Sequence, residues 1–206
     1  MTTALARAIA EVLPPEALVP PDDLGTFAVD GLTPRAAVRP GSVEEVAQVL
    51  ALAQERGWAV APVGGGTMLA LGAPPRALDV ALATTRLDRV LEHSPEDLTC
   101  TVEAGVTLAA LQGALRAAGQ HLPLAVPFPQ RATVGGVLAT GASGPERLAY
   151  GLPRDWLIGV RVVHPGGTVS KGGGRVVKNV TGFDMCRLYT GSLGTLGVIV
   201  EASFKL

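Results

Sequence analysis

Apolar residues recur at helical spacing in two early stretches and in strand-like runs later, and this pattern orders the chain. Leu5, Ile9, Val12 and Leu13 share one face of a helix over residues 2 to 13, which Pro14 and Pro15 stop. The passage PPDDLGTFAVDGLTPRA that follows is rich in Pro, Gly and Asp and reads as a loop. In PGSVEEVAQVLALAQERG, Val43, Val46, Val49, Leu50 and Ala53 face one way. Ser42 with Glu45 three residues on forms a capping box, and Gly57 ends the helix.

WAVAPV is then a short buried strand leading into three glycines, and RALDVAL and LTCTVEAG are further strands. Thr107 caps a helix through Leu115 to the Gly119 region. WLIGVRVVHPGGTVS reads as a hairpin turned by Pro165, Gly166 and Gly167, and FDMCRLYTG as a short helix. LGVIVEASFKL is a closing strand in which Val198, Val200, Ala202 and Phe204 alternate with Ile199, Glu201 and Ser203. Strands and helices in this mixed order predict an α+β fold rather than a doubly wound sheet.

The stretch APVGGGTML poses the first functional question. Glycine loses more conformational freedom on ordering than any other residue, so three in a row mark a place where side chains would obstruct something or where φ must be positive. Two explanations stand at this point: a tight structural turn, or a nest of backbone N–H groups that holds an anion. PVGGGT is not a Walker A loop, because no lysine follows at the required spacing. Nor is it the dinucleotide fingerprint, because MLALGAPPR, with two prolines, cannot be the helix which that motif opens.

A second cluster, TVGGVLATGASG, puts Gly135 and Gly136 just inside a helix start behind Thr133, a place that favours an anion. A third, GSLGTLGVI, enters the last strand. Three glycine turns at the edges of regular elements point to backbone converging on one long, phosphate-bearing ligand.

Composition narrows the partners. Of 206 residues, 48% are hydrophobic and only 17% charged, with a net charge of −1. Clustered Lys and Arg are absent, which excludes a nucleic-acid footprint. So few charges fit either a surface partly covered by another subunit or a plain bias toward Ala, Gly, Pro and Leu. Cys100 and Cys186 stand far apart in no ligand spacing, as buried thiols of a reducing compartment do. No secretory signal and no run of about 18 apolar residues is present. The expected location is cytoplasmic.

PRAAVRPGSVEEVAQVLALAQERGWAVAPVGGGT, TVEAGVTLAALQGAL, TVGGVLATGASG and KNVTGFDMCRLYTGSLGTLGVIVEASFKL, in this order, resemble the FAD-binding domain shared by p-cresol methylhydroxylase and vanillyl-alcohol oxidase relatives. Within that superfamily the chain looks most like the FAD-binding E-type subunit of bacterial glycolate oxidase. GSLGTLG stands where the catalytic D-type subunits usually have GSEGTLG, and Gly141 where they usually have Asn.

The resemblance implies an N-terminal helix and loop over residues 1–34. A two-lobed FAD domain over 35–206 would follow, with a small lobe of about 35–85 and a larger one of about 86–206. It implies that the family's following substrate domain is absent. Pro62, Val63, Gly64, Gly65, Gly66, Thr67 and Met68 would wrap the pyrophosphate. Pro127, Thr133, Gly135 and Gly136 would lie along the flavin, and Thr140, Ser143 and Gly144 along the pyrophosphate and ribityl region. Gly194 and Ile199 would approach through backbone atoms. A carboxylate introduced at Gly65 would then face phosphate oxygens. Many relatives tether flavin through a His near the first glycine loop. Gly66, Thr67 and Met68 cannot, so FAD is expected to be non-covalent.

The implied function is the FAD subunit of a 2-hydroxy-acid (glycolate) oxidase, its partners a catalytic D-type flavoprotein subunit and an iron–sulfur subunit. The alternative is a non-catalytic scaffold of the same fold. No catalytic set stands out. His93, His121 and His164 are isolated, in what read as a turn, a loop and a hairpin tip, and no metal motif arises. Lys178 and Asp184 read as an ion pair that orients a loop.

Overall fold

The computed structural model describes residues 4–174 and 182–206. The first helix, α1, is Ala4–Ala10. Val12 and Leu13 continue in turns closed by bonds to the Ile9 carbonyl, so the predicted helix ends early. A 3-10 turn, Pro15–Ala17, precedes the predicted loop and a second, Pro21–Phe27, lies within it, burying Ala17 and Phe27.

Strand β1 (Ala36–Val38) precedes helix α2 (Val43–Arg56), and strands β2 (Val60–Val63) and β3 (Val80–Ala83) follow. The three strands form a parallel sheet in the order β1-β3-β2. Ser42 Oγ accepts the Glu45 N–H at 3.1 Å, as its capping role requires. The Glu45 carboxylate reaches back one residue further than a standard box, to the Gly41 N–H at 2.7 Å.

Asp79 ties this sheet together just before β3. Its carboxylate accepts the Ala59 N–H at 2.9 Å and the Arg35 guanidinium at 2.9 Å, joining the residues that lead into all three strands. The Ala59 N–H holds the carboxyl below its ordinary 3.8 against an opposing push from burial, and the Arg35 guanidinium lowers it further. A carboxylate depressed on folding contributes stability above its unfolded value, and that contribution fades as pH falls through the folded one. Asp79→Ala is therefore expected to cost about 1–2 kcal/mol at pH 7. The difference in urea midpoint between variant and wild type should shrink at pH 3. An equal difference at both pH values would rule out this ionised role.

The second sheet has five antiparallel strands: β4 (Val90–Ser94), β5 (Thr99–Glu103), β6 (Leu157–Val163), β7 (Val169–Gly173) and β8 (Val198–Lys205). Their order is β4-β5-β8-β6-β7. Strand β4 was missed in the sequence because its residues are largely exposed and HSPED resembles a turn. The turn starts only after Ser94, and His93 lies in the strand opposite Cys100.

Helices α3 (Leu108–Arg116) and α4 (Val134–Thr140) pack Leu108, Leu111, Leu115, Val137 and Leu138 into one core with Val102, Val160 and Phe204 of the sheet. Helices α5 (Arg147–Tyr150), α6 (Pro153–Trp156) and α7 (Met185–Tyr189) are short. Burial pushes the Cys100 thiol up to about 12 and that of Cys186 up to about 11, as expected of inert thiols.

The closing strand departs from simple alternation. Arg161 faces Glu201 but Val162 faces Ile199, so Val200 is an extra residue in the ladder. The bulge shifts the phase. Ile199, Ala202 and Phe204 join the core under α3 and α4, whereas Val198 and Val200 join the core of the parallel sheet with Leu5, Val46 and Leu82. The hairpin tip between β6 and β7 rests on α2: at Gly167 a side chain would press on the Ala47 carbonyl.

Candidate functional site

Strand β2 ends at Val63, whose side chain is buried with Ala81 and Ala83. Gly64 to Met68 form the turn beyond it, with Gly66 at φ +67°. Alternation of sign in φ along successive residues is what a backbone nest needs. Among the described residues, no N–H group from Gly64 to Met68 has a protein acceptor. A row of unused donors in a half-buried turn is the feature that an anion would satisfy.

The other two glycine clusters close on this turn. A side chain at Gly64 would overlap Thr133 Oγ1, and one at Gly65 would overlap the Arg131 carbonyl. Thr133 caps α4 by accepting the Gly136 N–H at 3.3 Å. From the third cluster, Gly194 lies so near Pro62 that an added Cβ would stand 3.1 Å from its ring. The Leu193 and Gly191 N–H groups donate to the Ala139 and Leu138 carbonyls of α4 at 2.7 and 2.9 Å. The three glycine-rich segments are therefore neighbours in the fold. Ser192 Oγ, in the same turn, is buried without a hydrogen-bond partner.

Several individual assignments change. The anion role inferred for the start of α4 does not hold for its amides. The Gly135 N–H donates to the Ala104 carbonyl at 2.7 Å and that of Gly136 to Thr133, so both are spent inside the protein. Gly135 is bare because Ala104 lies against it. Gly65 likewise turns its missing side chain toward Arg131, so a carboxylate placed there would meet protein backbone before any phosphate.

Ile199 is buried in the central strand, in the core rather than beside the turn. Thr140 Oγ1 donates to the Gly136 carbonyl at 2.8 Å at the far end of α4. Beyond it, half-buried Ser143 precedes Gly144, which is pressed against the Ala125 carbonyl. Pro127 is exposed in the turn before Arg131.

Two grooves flank the loop. One is lined by Gly65, Thr85, Asp88, Thr107, Gln130 and Arg131 among others. The other is formed by residues 66–71 and by Thr26, Ala28, Val29 and Asp30 of the N-terminal segment. Neither Arg131 nor the N-terminal segment was read from the sequence as part of the site. Arg131 did carry a signal, as the single charge in the apolar, proline-rich passage just before ATVGG.

The histidines serve structure. His93 Nε2 lies 2.7 Å from Gln120 Oε1, and His164 Nε2 lies 2.6 Å from Ser170 Oγ. His121 sits edge-on to Tyr150. Asp184 caps α7 through the Arg187 N–H and pairs with that guanidinium at 2.9 Å, and Lys178 lies outside the described residues. No cluster of metal-ligating side chains occurs among the described residues, and no helix there is long and apolar enough to cross a membrane.

Free amides, bare glycines and an orphaned hydroxyl within one turn-rich region suit a long diphosphate ligand. Comparison with known proteins agrees. The family model described as an FAD binding domain matches residues 34–173. The chain is 38% identical over 173 residues to D-2-hydroxyglutarate dehydrogenase of Xanthomonas citri pv. viticola, covering 84% of this chain and 37% of that protein. It is 34% identical to glycolate oxidase subunit GlcD of Bacillus subtilis with the same coverage. It is 40% identical over 118 residues to subunit GlcE of Escherichia coli, covering 57% of this chain and 34% of that protein.

A solved structure of alkyldihydroxyacetonephosphate synthase superposes with a TM-score of 0.82 at 25% identity, over 98% of this chain and 39% of that one. The chain thus spans less than half the length of these relatives.

Proposed function

Because this chain belongs to the FAD-binding domain family, we propose that it is the FAD-binding subunit of an enzyme that oxidises a 2-hydroxy acid to the 2-oxo acid. The observation that carries this is the row of Gly64 to Met68 N–H groups without a protein acceptor among the described residues, with the other two glycine-rich segments packed beside it. Glycolate-type substrates follow from GlcD and GlcE among the relatives.

When bound, FAD supplies the two-electron acceptor for the alcohol. The chain's part is to hold it. The amides of Gly64 to Met68 would donate to the diphosphate and Thr67 would add a hydroxyl, while Gly194, packed on Pro62, braces β2. Residues that orient the substrate and take its proton come from partners, a D-type flavoprotein subunit among them, and electrons leave through an iron–sulfur subunit. This division fits the described residues, whose histidines are all engaged away from the loop.

Purified protein mixed with FAD and freed of excess should keep flavin absorbance. Acid precipitation should release all of that flavin to the supernatant, since Gly66, Thr67 and Met68 offer no group for a flavin bond. Colourless protein would refute cofactor binding and leave a scaffold, whereas flavin retained in the pellet would refute the non-covalent attachment. Co-purification with a second flavoprotein and an iron–sulfur protein tests the partners.

A further inference from the structure

The side chain of Arg131 reaches across to the glycine turn, where Nη2 donates to the Gly65 carbonyl at 3.3 Å. Arg131 has no carboxylate partner among the described residues, so this carbonyl is its recorded polar contact. The peptide between Gly65 and Gly66 is planar and trans, which points the Gly66 N–H opposite to the Gly65 carbonyl. Gly65 and Arg131 both line one groove, while Gly66, Thr67 and Met68 line the other. Fixing the carbonyl therefore also fixes the direction of the Gly66 N–H, one of the free amides of the turn.

Resting on the reading that this turn holds the diphosphate, we infer that Arg131 is a positioning residue for FAD. It holds the 65–66 peptide plane from behind, so that the Gly66 N–H is set toward the phosphates before the cofactor arrives. A peptide between two glycines has no side chain to resist rotation of its plane, so without such a clamp the amide is free to turn away. A cation on the carbonyl also polarises the peptide and makes its N–H a stronger donor. The guanidinium acts through the peptide and not on the phosphate.

The test compares Arg131→Ala, Arg131→Gln and Arg131→Lys for binding of FAD, ADP and riboflavin, with Thr67→Asp as the control for the turn itself. Arg131→Ala should weaken FAD and ADP about tenfold, the order of one hydrogen bond. Riboflavin, which has no phosphate, should bind as to wild type, and the melting temperature should hold. Lys, a donor of comparable reach, should restore most of the affinity, Gln, whose amide is too short to reach the carbonyl, should behave as Ala does, and the Gly66 amide resonance in a 15N–1H spectrum of the apoprotein should move in the Ala and Gln variants and return in the Lys variant.

ADP affinity unchanged by Arg131→Ala but abolished by Thr67→Asp would overturn the positioning role and leave the turn as the phosphate site. Affinity rescued by Lys while the Gly66 amide resonance stays displaced would also overturn it, in favour of direct charge attraction. FAD affinity indifferent to every one of these variants would overturn the turn's role, and with it both proposals.

Discussion

A Gly65→Ala protein is expected to unfold at markedly lower urea concentration than wild type, by the equivalent of about 3 kcal/mol. The Cβ would overlap the carbonyl oxygen and carbon of Arg131 and approach the Ala132 nitrogen to 3.4 Å. All three are main-chain atoms, so no rotamer change relieves the overlap. The two segments must part, and parting them loosens the seat of Thr133 at the start of α4, which Gly64 also touches. Gly113→Ala is the control: it lies in α3 with nothing within 4 Å of its added Cβ, and should raise stability by about 0.5–1 kcal/mol. A Gly65→Ala midpoint equal to wild type would show that the turn does not seat on this segment.

Thr67→Asp is expected to weaken FAD by roughly a hundredfold while leaving the urea midpoint within about 0.5 kcal/mol of wild type. Thr67 is half-buried, lines the groove beside the free amides and makes no recorded hydrogen bond with its hydroxyl. A carboxylate there faces two phosphate charges at partly desolvated range, where repulsion of on the order of 3 kcal/mol survives screening. The stability half of this expectation separates it from Gly65→Ala, which damages protein packing first. Isothermal titration with FAD gives the affinity, and a Thr67→Asp protein that binds FAD as wild type does would move the diphosphate elsewhere.

Elements with a self-contained code were legible. Ser42, Glu45 and Gly57 frame α2 through contacts a few residues apart, and Thr107 and Thr133 cap their helices in the same local way. Strand β4 was not legible, because an exposed edge strand carries no apolar alternation. The phase shift at Val200 was hidden for another reason: a bulge is a property of pairing with β6, and VIVEASF alternates as well on paper as any unbroken strand.

For the site, the glycines announced bare backbone without saying what it is bared to. At Gly66 and Thr67 it faces a groove, at Gly65 and Gly135 it faces neighbouring main chain, and only the tertiary placement of Arg131 and Ala104 separates the two cases.

The bulged strand β8 also sets a schedule for synthesis. It lies between β5 and β6, its Ser203 hydroxyl 2.8 Å from that of Thr101 across 102 residues of chain, and it feeds side chains into both hydrophobic cores. Residues 4–174 emerging from a ribosome would hold two sheets, one of them split down its middle with two open edges inviting foreign strands. Neither half of the split sheet can close until Val198–Lys205 has been made.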